Sequence, residues 1–125
     1  MKNTNVIVEK SKRFALRIIK LYVYLKSEKQ EFILSKQLLR SGTSIGANIR
    51  EATRAESKSD FYHKLNISLK EAEETAYWLE LLNESDFITE PQFKSVYQDC
   101  NEIISLLVSI TKNQKEISLS DTRNL

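Results

Sequence analysis

Apolar residues recur at steps of three and four along most of the chain, the period of helices that bury one face. Ile7, Phe14, Ile18, Leu21, Tyr22 and Leu25 mark a first helix over about 5–27, with Thr4 and Asn5 suited to cap it. Leu34, Leu38, Ser41, Ile45, Ile49 and Ala52 keep the same rhythm in a second, over about 31–56. A third, over about 58–83, has Ser57 or Ser59 as its cap and Phe61, Leu65, Leu69, Ala72, Ala76 and Leu79 on one side. Pro91 fits the first turn of a fourth, over about 90–112, whose stripe is Phe93, Val96, Cys100, Ile103, Leu107 and Ile110. The apolar period is lost after Lys112, so 113–125 reads as a frayed tail.

The run Ser41-Gly42-Thr43-Ser44 interrupts this pattern by composition but not by phase. Gly42 could end one helix and Ser44 cap another, making the segment a loop. The unbroken apolar phase through Gly42 and Gly46 favours a continuous helix. Each interior glycine costs about 1 kcal/mol relative to alanine, so the segment must recover that by close packing. Small side chains there let a neighbouring helix approach, with Ser44 or Asn48 expected to hydrogen-bond across the contact.

Composition supports few, long helices: 125 residues hold only two glycines and one proline. The expected fold is all-α, a single domain forming an antiparallel up-down-up-down four-helix bundle. The lone Cys100 excludes an intramolecular disulfide or a multi-thiolate zinc site and suits a reducing cytoplasm. Lys10, Lys12, Arg13 and Arg17 break every early apolar run before membrane length, so neither a signal peptide nor a membrane association is expected. The net charge of +2 conceals an asymmetry: 1–64 carries 14 basic and 6 acidic side chains, 65–125 carries 5 and 11. Opposite halves suggest electrostatic pairing.

Catalytic chemistry has little to work with. His63 is the only histidine and lacks a second placed group, and Cys100 lies in a core stripe. Glu71, Glu73, Glu74, Glu80 and Glu84 lack the Glu-x-x-His pairs of a bundle-core metal site. No enzyme activity, metal or cofactor is expected. Glu73, Glu80 and Glu84 instead fall on one strip, while Ile67, Trp78 and Leu81 form a second apolar patch on the third helix, a candidate subunit interface.

The basic residues are more suggestive. Lys36, Arg40, Arg50, Arg54 and Lys58 share about 80° of arc opposite the apolar stripe of the second helix. On the first, Lys10, Arg13, Arg17 and Lys20 cluster beside the core stripe. Such a line could follow an RNA or DNA backbone, although solvent-facing helix positions are commonly charged for solubility alone.

The run Arg40-Ser41-Gly42-Thr43-Ser44-Ile45-Gly46-Ala47-Asn48-Ile49-Arg50-Glu51-Ala52 resembles bacterial four-helix-bundle proteins encoded within intervening sequences of large-subunit ribosomal RNA genes. Asp60-Phe61, Lys64, Ile67, Lys70-Glu71, Glu74-Thr75 and Tyr77-Trp78-Leu79 extend the likeness over roughly residues 32–82, although many members have Glu-Gly where this chain has Glu51-Ala52. The resemblance implies a bundle assembling into a ring of five, related to nucleic-acid-binding accessory variability proteins of diversity-generating retroelements. Ser44, Asn48 and Glu51 carry over by position as packing and hydrogen-bonding residues, and no enzymatic activity is implied. In a ring, the basic second-helix face could meet the acidic third-helix strip of the next copy. Two functions follow as expectations: an oligomeric nucleic-acid-binding accessory protein, or a structural adaptor that binds another protein.

Overall fold

The computed structural model describes the backbone of residues 2–123 and the side chains of 4–114. Four helices follow in order: α1 (Lys2–Ser27), α2 (Leu34–Thr53), α3 (Lys58–Glu84) and α4 (Glu90–Arg123). Short connections make successive helices antiparallel. Among the described residues α1 packs on α2 and α4, and α3 packs on α2 and α4, while the backbones of the diagonal pairs stay apart. The architecture is therefore the expected all-α four-helix bundle.

The core is built from the stripes the periodicity marks. Ile7, Ile18, Leu25, Leu38, Ile45, Ile49, Leu65, Leu79, Ile103 and Leu107 are almost completely buried. Gly42 and Gly46 lie inside α2, so Ser41 to Ser44 is helix and not loop. The close approach comes from α1: a Cβ built on Gly42 would stand 2.9 Å from Ile18 Cγ2, and one on Gly46 3.2 Å from Ser11 Oγ.

Hydrogen bonds between helices run through other residues than expected. Ser44 donates back to the Arg40 carbonyl at 2.6 Å and Asn48 to the Ser44 carbonyl at 2.9 Å, both within α2. Both side chains return to their own helix. The bonds to α3 come instead from buried hydroxyls: Ser68 donates to the Ile45 carbonyl at 2.8 Å, and Thr75 and Ser41 Oγ atoms are 2.8 Å apart. A buried hydroxyl needs such a partner to offset its desolvation.

Helix boundaries follow local chemistry. The helix of α1 begins at Lys2, so Thr4 and Asn5 lie within its first turn instead of capping it. Glu31 precedes α2 and folds over its start, its carboxylate accepting from the N–H groups of Ile33, Leu34 and Ser35 at 3.3, 3.1 and 2.7 Å. Helix α2 therefore starts three residues later than its apolar rhythm suggests. It ends at Thr53, where Arg54 and Ala55 N–H groups turn back to Glu51 and Ala52 carbonyls at 3.1 Å. Ser57 caps α3 by accepting from Asp60 N–H at 3.0 Å. Thr89 and Gln92 exchange reciprocal bonds of 2.8 and 3.3 Å at the start of α4, a capping box. Contrary to the frayed tail expected for 113–125, α4 continues to Arg123: neither glycine nor proline interrupts that stretch, and Gln114, Lys115 and Glu116 are good helix formers. The expectation for 124–125 lies outside the described residues.

Candidate nucleic-acid interface

The basic residues picked out by helical phase separate into two groups once neighbouring helices are in place. Arg40 lies on the basic line of α2 but reaches across to α3, where its guanidinium binds Glu71 at 3.1 Å and also Glu74. Its Nε donates to Gln37 at 3.3 Å. The Glu74 hydrogen bond, with the charge of Glu71, holds the Arg40 guanidinium above its already high ordinary pKa. Glu74 also accepts the Trp78 indole N–H at 3.2 Å. Arg40 is a strut between α2 and α3.

Arg17 plays the same part between α1 and α4. It donates to Asp99 at 2.7 Å, to the Ser95 carbonyl at 3.2 Å and to Ser95 Oγ at 2.6 Å. Beside it Lys10 pairs with Glu102 at 3.2 Å, so the cleft lined by Lys10, Arg13, Phe14, Arg17, Asp99, Glu102 and Ile103 carries both signs of charge. Its cations are balanced by α4. Arg13 makes only a highly exposed 3.4 Å contact with Glu9, a pair of small energetic value.

Lys36, Arg50, Arg54 and Lys58 are exposed and have no ion-pair partner among the described residues. Lys36 lies fourteen residues before Arg50, about 21 Å along the helix, and Arg40, Thr43 and Ala47 do not bridge that gap. The basic line is thus reduced to a corner. Arg50 lies in the last turn of α2, Arg54 directly follows its end, and Lys58 opens α3 after a short turn. Glu51 is taken up by Lys64 at 3.4 Å, while Glu56 and Asp60 share the corner. Its field therefore acts at contact range and not by long-range steering.

The expected apolar interface is only partly open. Ile67, Trp78 and Leu81 are half-buried, and Trp78 packs against the core. Tyr77, not singled out by periodicity, is the more exposed aromatic at 54%. A second apolar surface lies on α1, where Leu16, Ile19 and Val23 face solvent; their spacing of three and four is a signal in the sequence.

Of the titratable candidates, Cys100 is fully buried with its thiol pushed up to about 12 by desolvation and the charge of Asp99. It donates to the Ala72 carbonyl at 3.3 Å as a core residue. His63 is exposed. Among the described residues no group of three or more His, Cys, Asp or Glu side chains is placed to hold a metal ion. None of the helices described is long and apolar enough to cross a membrane.

This geometry meets an independent comparison of sequence. The profile of the 23S rRNA-intervening sequence protein family matches residues 3–109. The chain belongs to that family. A similar solved structure is the crystal structure of a protein of unknown function from the S23 ribosomal protein family of Bacteroides thetaiotaomicron, 57% identical. The match covers 88% of this chain and 98% of that one, with a TM-score of 0.87. No curated protein matches. Within the 23S rRNA-intervening sequence family, then, this member combines a close-packed α1 to α2 contact with an uncovered basic corner.

Proposed function

We propose that this is a non-enzymatic binding protein that contacts the phosphate backbone of RNA through the corner formed by Arg50, Arg54 and Lys58. The observation that carries the proposal is the division of the basic residues: Arg17 and Arg40 are bound to carboxylates of neighbouring helices, whereas these three stay exposed and unpaired among the described residues. Charge without a reading module favours backbone contact over base readout. The membership of the chain in a family named for ribosomal RNA intervening sequences supports RNA as the polyanion.

Few contacts and nearby carboxylates give weak, salt-sensitive affinity. Fluorescence anisotropy with a structured RNA at low ionic strength tests this. Binding should be measurable for the wild type and should fall at least tenfold in Arg50→Glu with Arg54→Glu. Equal binding by that variant, or none by the wild type, removes the proposal. The alternative of an adaptor for another protein loses much of its motivation, because Trp78 packs inward and its indole N–H is bound to Glu74.

A further inference from the structure

The second half of the chain is acidic, yet its carboxylates are spread unevenly along α3 and α4. None occurs between Asp60 and Glu71 on α3, and none between Glu102 and Glu116 on α4. Because α3 and α4 are packed antiparallel neighbours, these two stretches lie side by side, at the end of the bundle that holds the turn from α2 to α3. Asn66 donates to Gln114 across them at 3.4 Å. A wall free of carboxylates therefore adjoins the corner of Arg50, Arg54 and Lys58.

A cleft opens in this wall. It has a volume of about 300 Å³ and is lined by Asn66 and Leu69 of α3 and by Val108, Thr111, Lys112 and Gln114 of α4. That is the lower end of the range that encloses a small ligand. Leu69 is half-buried and Val108 is 47% exposed, so apolar surface stands bare within it. The single bond between the amides leaves Asn66 Oδ1 and Gln114 Nε2, an acceptor and a donor, without partners among the described residues. Lys112 is exposed and has no ion pair among the described residues. The cleft beside Arg17 differs in kind, because Asp99 and Glu102 line it.

The cleft is also continuous with the corner. Tyr62 and Asn66 follow Lys58 at steps of four and form one row along α3, with Asn66 about 12 Å beyond Lys58. Tyr62 is half-buried and meets Phe61 edge to face, their ring centroids 5.2 Å apart. A polyanion that runs from Lys58 to the cleft thus passes an aromatic ring and no carboxylate.

The geometry points to an unpaired nucleobase as the occupant of this cleft, belonging to an RNA whose backbone lies on the corner. The inference rests on the RNA reading above and adds a contact that senses whether a base is paired, without fixing which base it is. Leu69 and Val108 take the face of the ring, the two amides meet donors and acceptors on its edge, and Lys112 attracts the adjoining phosphate. A base held in a duplex has its faces stacked and its pairing edge occupied, so it cannot enter. RNA with a bulged nucleotide is therefore preferred to continuous duplex, between which the corner alone makes no distinction.

Fluorescence anisotropy of the full chain at low ionic strength, with two RNA duplexes identical except for one bulged nucleotide, tests this. The wild type should bind the bulged duplex about tenfold more tightly. Asn66→Ala with Gln114→Ala should bind the two equally, with the wild-type affinity for the continuous one. Val108→Glu, which puts a carboxylate into the cleft from a position open to solvent, should also lose the preference, and the helical circular dichroism of both variants should be unchanged. Arg50→Glu with Arg54→Glu should weaken both duplexes alike. A wild type that binds the two equally, while the corner variant binds both more weakly, overturns the cleft and keeps the corner. A preference for the bulge that survives in both cleft variants overturns the cleft as well. A wild type that binds neither duplex removes corner and cleft together.

Discussion

Ile18 fills the space that Gly42 leaves open: a Cβ at Gly42 would lie 2.9 Å from Ile18 Cγ2 and 3.0 Å from Cγ1. Ile18 is completely buried and β-branched, so it cannot simply rotate away. Gly42→Ala gains about 1 kcal/mol of helix propensity but meets an overpacking cost of about 1–3 kcal/mol. A net loss near 1 kcal/mol is expected from urea unfolding. In an Ile18→Ala background the same change should become favourable, since the obstructing atoms are gone. Gly46 faces only the Ser11 hydroxyl at 3.2 Å, so Gly46→Ala should stay within about 0.5 kcal/mol of wild type. A Gly42→Ala protein more stable than wild type would refute the close contact.

Arg40 and Arg54 should show opposite phenotypes. Arg40→Ala cuts the link to Glu71 and Glu74, which is partly exposed, and should cost about 1 kcal/mol of stability with little loss of RNA affinity. Because Glu74 also holds the Trp78 indole, the sole tryptophan should report the change in its fluorescence. Arg54→Ala should leave stability and fluorescence alone and weaken RNA binding. Urea unfolding and anisotropy on both variants check the pair, and parallel losses in both assays would merge roles that the structure separates.

Much of the bundle was legible because burial is periodic. The phase carried through Gly42 and Gly46 identified a helix interior where composition alone suggested a turn. Site chemistry was harder to see. A helical projection places Arg40 and Arg50 on one face but contains nothing of α3, whose Glu71 and Glu74 claim the first and leave the second. The same blindness affected Arg17, which α4 supplies with Asp99 and Ser95. Glu31 looked like the first residue of α2, yet its carboxylate folds forward to cap that helix, a contact between neighbours that no period records. The stripe of Leu16, Ile19 and Val23 was visible in spacing but was overshadowed by the stronger core stripe of the same helix.

The Glu31 cap offers a local test of fold stability. Three N–H groups lose their acceptor in Glu31→Ala, so a destabilisation of about 1–2 kcal/mol is expected from thermal or urea unfolding. Glu31→Gln keeps one carbonyl oxygen and should recover part of it. Equal stability of Glu31→Ala and wild type would show that α2 starts independently of this side chain.

Cys100 should make alkaline stability depend on the fold. The buried thiol is pushed up to about 12, whereas in the unfolded chain it titrates near an ordinary value of about 8.5. Below that lower value both states keep the proton and the full contribution is present. As pH rises from there towards the folded value, only the unfolded chain releases it, and stability falls by about 1.4 kcal/mol per pH unit from this group. Between pH 8 and 10.5 wild type should therefore lose more stability than Cys100→Ala, whichever is more stable at pH 8. Equal losses in urea titrations would contradict the burial of a protonated thiol.

The salt dependence of RNA affinity most directly tests the basic corner. In the wild type, log K should fall linearly with log salt, and each lost backbone contact should reduce the slope by about 0.7–0.9. Arg50→Gln with Arg54→Gln should flatten the slope by nearly two such contacts, while Arg17→Gln should leave it unchanged. A slope insensitive to Arg50 and Arg54, or one that flattens equally in Arg17→Gln, would contradict the assignment of RNA binding to the α2 to α3 corner.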